Sequence, residues 1–505
     1  MATTHSRIVS PLCFSASSLF QNPIVWAEDT NTILRCIVRI SLFFHGVVAG
    51  LSISTAAMAL SVSDAITYVL ESNPDIQAAE FNKQAVEFEL ERARAFRAPK
   101  FSLDGWTGTS RDIGETTNGT GGYIQGYELS ASISQRLFDG YWTRSEIERQ
   151  AYRVDAAALR VLERSEFLAL EAVRVFADVR RMRAQVSLAR SNIAYHRTAV
   201  SRLQKAFDNG VVGPSDLLQA EERLLVAQDI LLQFELDQAD TEAMFLEVVG
   251  IAPQSLSPVR SIAASVPGSL DLALATARRH NPTIKFSQAD VGAADAMARR
   301  AKHNLFPSLD LVLEGRYGDD LNGIDGRVND VSLGIRLTYE LQGGAQRAQR
   351  EEQARRVHES RARLLSQTRL VEREMRHSWN SMVQIHRRVG LLENQVSELQ
   401  ELRDTYEKEF IVGARSLLDV LNTQNALVRA QAELINARSL SVYVEYRVLA
   451  ASGTLLSSLG IEPPEDAKPY ARDQAGAPPV SSAEPNQHFD AKSFSNWRRN
   501  VSKKK

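Results

Sequence analysis

The sequence predicts an α+β fold, mainly α, built from two copies of one unit: helix, β-hairpin, very long helix, return helix. Three chains would close a trimeric twelve-stranded transmembrane β-barrel, continued by an α-helical coiled-coil barrel. Three observations lead there. The chain repeats itself in order, it carries two hairpins of membrane length, and two of its helical runs outgrow a compact domain.

The repeat is read from collinear anchors. Asn73-Pro74 recurs as Asn281-Pro282, and Pro99 as Pro307, both at an offset of 208. Arg136-Leu137 matches Arg336-Leu337 at 200. The string from Phe207 to Leu218 matches that from Phe410 to Leu421 at 203, and Gly250 matches Gly453 at the same offset. Such order with small shifts means duplication of one supersecondary unit.

Residues 1–59 read as an N-terminal extension and signal peptide. Arg35 and Arg39 form a basic region, an apolar stretch follows, and Ala57-Met58-Ala59 offers a small-x-small cleavage pattern. Cleavage there removes Cys13 and Cys36, the two cysteines of the sequence, and leaves none for a lipid anchor. The first repeat spans 60–250, an equatorial linker 251–269 and the second repeat 270–460. Residues 461–505 are polar and proline-rich, ending in Lys503-Lys504-Lys505, and read as a disordered tail.

Each repeat opens with a helical stretch, about 62–97 and 270–305, that stops before Pro99 or Pro307. Hairpins follow at 100–138 and 308–338. Leu129, Ile133, Leu333 and Ile335 fall on apolar faces that alternate with Ser, Asp, Glu and Arg. Period two means strands, and about ten residues is the length that crosses a bilayer at a tilt. The apolar faces are expected to meet lipid. Open sheet edges cannot sit in hydrocarbon, so four strands need completion by other copies.

Long helices are expected at 141–209 and 342–411. In the second, apolar residues from Val371 to Phe410 recur every three or four positions, as in a coiled-coil seam. Return helices are expected at 214–249 and 415–452, after Gly-containing turns.

Composition narrows the function. The balance of 59 basic against 61 acidic residues argues against a nucleic-acid partner. No phosphate loop, HExxH pair or cysteine cluster is present, and the histidines are scattered. No catalytic residue, metal site or cofactor is expected, and the chain is not read as an enzyme.

With these features the sequence resembles the TolC-type outer-membrane efflux proteins over about residues 61–460. The resemblance rests on the duplicated unit, Asn-Pro at 73–74, Leu137-Phe138-Asp139-Gly140, Gln342-Gly343-Gly344, and the string from Phe410 to Leu421. It implies a homotrimeric exit duct in the outer membrane with a long periplasmic extension. The expected partners are outer-membrane lipids, a periplasmic adaptor docking at the tip turns (Phe207, Gly210, Gly213 and Gly413), and an inner-membrane transporter. The absence of a lipidated cysteine favours type I protein secretion over multidrug or metal efflux. A periplasmic coiled-coil adaptor or scaffold without a pore is the alternative of another class.

The resemblance also implies a gate. Its lock arginine falls on Arg415, with Ser215 and Asp216 as partners, and its pore aspartate on Asp419. A guanidinium can bridge a carboxylate and a hydroxyl, and three Asp419 side chains would form a cation-attracting ring. Helix capping is the competing role for Ser215 and Asp216. Two positions depart from the family pattern: Phe410 stands where a gate tyrosine is expected, and Asn422 where a second pore aspartate is expected.

Overall fold

A computed structural model describes residues 59–111, 123–321, 326–341 and 343–480. The expected export signal lies outside the described residues, apart from Ala59. The first repeat contains α1 (Val62–Ser72), α2 (Pro74–Ala95), β1 (Lys100–Ser110), β2 (Ile124–Phe138), α3 (Trp142–Asp208) and α4 (Pro214–Val249). The second contains α5 (Leu270–His280), α6 (Pro282–Arg300), β3 (Ser308–Asp319), β4 (Arg327–Thr338), α7 (Gly344–Ile411) and α8 (Leu417–Ser452). Two short helices follow, α9 (Leu455–Ser458) and α10 (Ala471–Ala475). Among the described residues, no helix is long and apolar enough to cross a membrane.

The opening helix of each repeat is broken, where one continuous helix was expected. Pro74 and Pro282 each take the first helical position of a new segment. The preceding asparagine is therefore driven out of the α region. Asn281 turns this break into a latch. Its Oδ1 accepts from the Thr283 amide at 2.9 Å, while its Nδ2 donates to the Ala451 carbonyl at 3.0 Å. Asn73 does the same with Asp75 and Val248. One side chain thus caps the second segment and ties it to the end of the return helix of its own repeat. Gly453 sits against this latch with φ 71°, and a Cβ there would lie 2.7 Å from the Asn281 Cα.

Asn281 is buried and Asn73 only half-buried. Asn281→Ala is expected to cost about 2–3 kcal/mol, a lost cap plus an unsatisfied buried carbonyl. Asn73→Ala is expected to cost about 1 kcal/mol. Thermal unfolding followed by helical circular dichroism checks the order; a larger shift for Asn73→Ala would contradict the latch.

The helix α3, with 67 residues, extends about 100 Å at 1.5 Å per residue. It packs on α4 and α6 along much of its length and also meets α1, α2 and α8. Near its middle Phe176 meets Phe245 of α4, ring centroids 6.2 Å apart, in a core shared with Ile66, Ile76, Leu449 and Leu455. A second core joins Leu274, Ile284, Met375, Leu434 and Val448 from α5 to α8. Glu166 of α3 is buried and accepts from the amides of Leu455 and Leu456, and burial pushes its carboxyl up to about 7.

The chain from 461 to 480, expected to be disordered, is instead a packed strap. Lys83 of α2 binds Asp466 at 2.7 Å. Asp155 of α3 accepts from the backbone amides of Tyr470, Ala471 and Arg472. The Tyr152 hydroxyl donates to the Pro478 carbonyl. Residues 481–505 lie outside the described residues.

The four strands form one antiparallel sheet in the order β1-β2-β3-β4, so the two hairpins pair through β2 and β3. A register row runs Phe101, Ile133, Leu313, Leu333 across all four. The adjacent row runs Ser102, Ser132, Glu314, Ser332. Strand alternation sends these two rows to opposite faces. The outer edges of β1 and β4 have no strand partner among the described residues.

Candidate functional site

The sheet gives one end of the site. Its apolar face leaves Leu129, Ile133, Leu333 and Ile335 exposed, together with Phe101, Leu103 and Leu337. Leu333 is 70% exposed, which no folded chain in water gains from. The opposite face is polar and cross-linked. Arg136 meets Asp310 at 2.9 Å, Arg316 meets Asp330 at 3.1 Å, and Arg336 meets Glu314 at 2.7 Å. The Ser102 and Ser132 hydroxyls share a hydrogen bond of 2.7 Å.

The opposite end is the pair of helical reversals. After α3, Gly210 has φ 72°; its amide donates to the Phe207 carbonyl and the Val211 amide to Ala206. After α7, Gly413 has φ 75°, with Gly413 donating to Phe410 and Ala414 to Glu409. Both pairs are Schellman bonds, which satisfy the last carbonyls of a helix and favour glycine at the left-handed position. The shared Phe-x-x-Gly spacing at 207–210 and 410–413 is this geometry written twice.

The chain then re-enters a helix differently in the two copies. Gly213 precedes α4 with Pro214 at its first position, and no side chain caps it. Ser215 and Asp216 are exposed residues of that first turn. The capping role considered for them is therefore not what they do, because Gly213 occupies the N-cap. In the second copy Ser416 is the cap, accepting from the Leu418 amide at 3.1 Å.

Arg415 does not bridge to Ser215 or Asp216 among the described residues. Its guanidinium lies over the Tyr406 ring, 4.3 Å from the centroid. Its Nε donates to Glu409 Oε2 at 3.0 Å, and its Nη1 lies 3.9 Å from Asp419 Oδ2. The reason is local. Tyr406 and Glu409 are three apart and share one face of the last α7 turns, so the reversal delivers Arg415 onto them. The expected lock partners stand on the other helical pair.

Asp419 sits in the first turn of α8, with its amide donating to the Ser416 carbonyl, and its side chain is 45% exposed. Asn422 is exposed on the next turn. Phe410 lines a groove of about 610 Å³ with Tyr195, Leu203, Leu417 and Val420. Beside it Arg202 of α3 meets Glu407 of α7 at 3.0 Å, a link between the two helical pairs that no sequence motif announces.

Two separated regions of the chain, 65–250 and 273–454, match the family model described as outer membrane efflux protein. The chain belongs to the outer membrane efflux protein family. The two matched regions fall one on each repeat. The outer membrane efflux protein BepC of Brucella suis is 27% identical over 337 residues, 66% of this chain and 74% of that protein. The alkaline protease secretion protein AprF of Pseudomonas aeruginosa is 25% identical over 406 residues, 76% of this chain and 82% of that protein. The structure is similar to the CmeC outer membrane channel of Campylobacter jejuni, with a TM-score of 0.70 and 14% identity over 82% of this chain and 89% of that one. As a member of the outer membrane efflux family, this chain is an outer-membrane transport protein with the fold of the TolC-type channels. The alternative of a pore-free adaptor is overturned by the family match.

Proposed function

We propose that the chain is a homotrimeric exit duct for type I protein secretion, with a periplasmic adaptor docking at Phe207, Gly210, Gly213 and Gly413 and an inner-membrane transporter supplying energy. The observation that carries the duct is the sheet: an exposed apolar face, a charged opposite face, and two outer edges without a strand partner among the described residues. A membrane strand cannot leave its amides unpaired in hydrocarbon. Three such sheets joined β1 to β4 give twelve strands and no edge. The choice of protein secretion rests on the likeness to AprF, whose name specifies protease secretion.

Native mass measurement of detergent-extracted protein is expected to give three chains, and a deletion strain is expected to retain a secreted polypeptide inside the cell. Unchanged secretion with raised drug sensitivity would move the duct to drug efflux. A soluble monomer would overturn the duct itself.

The tip is the movable end in this reading. Arg415 holds the α7–α8 reversal together through Glu409 and Tyr406, and Asp419 repeated three times supplies a ring of carboxylates. Asp419→Ala is expected to reduce block by divalent cations in planar bilayers. Arg415→Ser is expected to raise conductance by loosening the reversal. Block unaltered by Asp419→Ala would remove Asp419 from the pore.

A further inference from the structure

The two helical pairs, α3–α4 and α7–α8, meet along a seam that any swing of the α7–α8 pair must break. Above the tip this seam is polar. Gln185 donates to Asn436 at 2.7 Å and Gln424 donates to Asn192 at 3.2 Å, each a bond between α3 and α8. One turn nearer the tip than Asn192 lies His196 of α3. It is 1% exposed, and neither ring nitrogen makes a well-aligned hydrogen bond, the Asn425 side chain of α8 offering only a weak one. A buried polar side chain so poorly paired costs free energy and calls for an explanation.

No carboxylate acts on the ring directly. Arg223 faces the ring from α4, with Glu222 of the same helix 3.6 Å from that arginine. From α8 the neutral Asn425 side chain faces it and offers a hydrogen bond but no charge. On α3 itself the neighbour is Tyr195, its ring edge-on at 6.0 Å. The α7 charges near this level, Arg403, Asp404 and Glu407, face Tyr195. A neutral imidazole is tolerated in this place, whereas an imidazolium would be a buried cation facing a second cation.

We propose that His196 is an acid-sensitive wedge in the seam: protonation drives α8 away from α3 and so releases the tip. The proposal rests on the reading of the tip as the movable end of a duct. The sign follows from the environment. Burial, opposed by the Asn425 hydrogen bond and reinforced by Arg223, holds the ring below the ordinary histidine value of 6.5. An open, solvated seam restores that ordinary value. The packed seam therefore keeps its full stability above about pH 6.5 and loses it progressively as pH falls further. Histidine is the one side chain whose ordinary charge change falls in that window.

Spin labels at the exposed positions Arg197 of α3 and Ala426 of α8 report the seam directly. In full-length trimers the distance between them is expected to widen from pH 7.5 to pH 5, roughly the range in which imidazole titrates. The widening is expected to vanish in His196→Gln, which stays neutral, and to shift to lower pH in Arg223→Gln, because the substitution removes the repulsion from the packed state. Channel conductance is expected to rise several-fold over the same range in wild type and to stay flat in His196→Gln. Measuring both in an Asp419→Asn background separates the seam from titration of the pore carboxylates. A pH-invariant distance in wild type, or an undiminished response in His196→Gln, overturns the wedge. A seam that opens with acid while conductance stays constant leaves the wedge standing and overturns the gated-duct reading instead.

Discussion

Leu333→Arg is expected to abolish assembly, while Ser332→Arg, one residue away, assembles. The two side chains leave the same strand on opposite faces. Leu333 continues the exposed apolar row that runs through Phe101, Ile133 and Leu313. Ser332 pairs with Glu314, which already accepts a hydrogen bond from Arg336. An arginine on the hydrocarbon face near the midplane costs roughly 2–4 kcal/mol. Three copies bring that to roughly 6–12 kcal/mol per trimer, on the scale of a whole domain's stability. An arginine at 332 meets water and a carboxylate. Heat-modified gel mobility of outer-membrane material distinguishes the two. Equal defects would mean that the apolar face does not meet lipid, and the barrel would have to be built the other way round.

That face was legible because strand alternation is local: each residue of 127–137 declares its side by its parity. The tip reversals were legible for a related reason. A Schellman turn needs glycine at one position, and the two copies place Gly210 and Gly413 identically. The break at Asn73-Pro74 was also present in the sequence, since the rule applied to Pro99 applies equally to Pro74.

The gate contacts were less legible. Arg415 finds Tyr406 and Glu409, nine and six residues earlier, because the turn folds the chain back on itself. Spacing rules for a single helix do not reach across such a turn. Arg202 with Glu407, and His196 against Arg223 and Asn425, are longer-range still. A lone histidine inside a 67-residue helix has no pattern to set it apart.

The strap was the least legible element, and it carries the other large expected effect. Asp155→Ala is expected to release residues 462–480 from the helices beneath. A helix of five residues such as α10 cannot persist by itself. Its first amides are held by Asp155, which lies more than 300 residues earlier in the chain. No composition of the segment 462–480 could reveal that acceptor. Truncation to alanine leaves three donors unpaired, the Ala471 amide buried and the other two partly so, at up to about 1–3 kcal/mol each. Detachment lets them rehydrate, so the net loss is expected at about 3–5 kcal/mol, near the price of freeing the strap. Asp155→Asn is expected to be far milder. It keeps one acceptor oxygen for the Tyr470 and Ala471 amides, which share Oδ1, and forfeits the Oδ2 bond from the Arg472 amide; it also removes a charge that burial already disfavours, since burial pushes the Asp155 carboxyl above its ordinary range despite the three amides. The strap also spans two elements. Ala477 and Val480 pack with Tyr152 of α3 and Ala296 of α6, so its loss uncovers the contact between first-repeat and second-repeat helices. Limited proteolysis with mass identification of the cut is the measurement. Asp155→Ala is expected to expose a cleavage site within 462–480 that wild type and Asp155→Asn protect. Equal protection in all three would mean that Lys83 and Tyr152 hold the strap without the Asp155 cap.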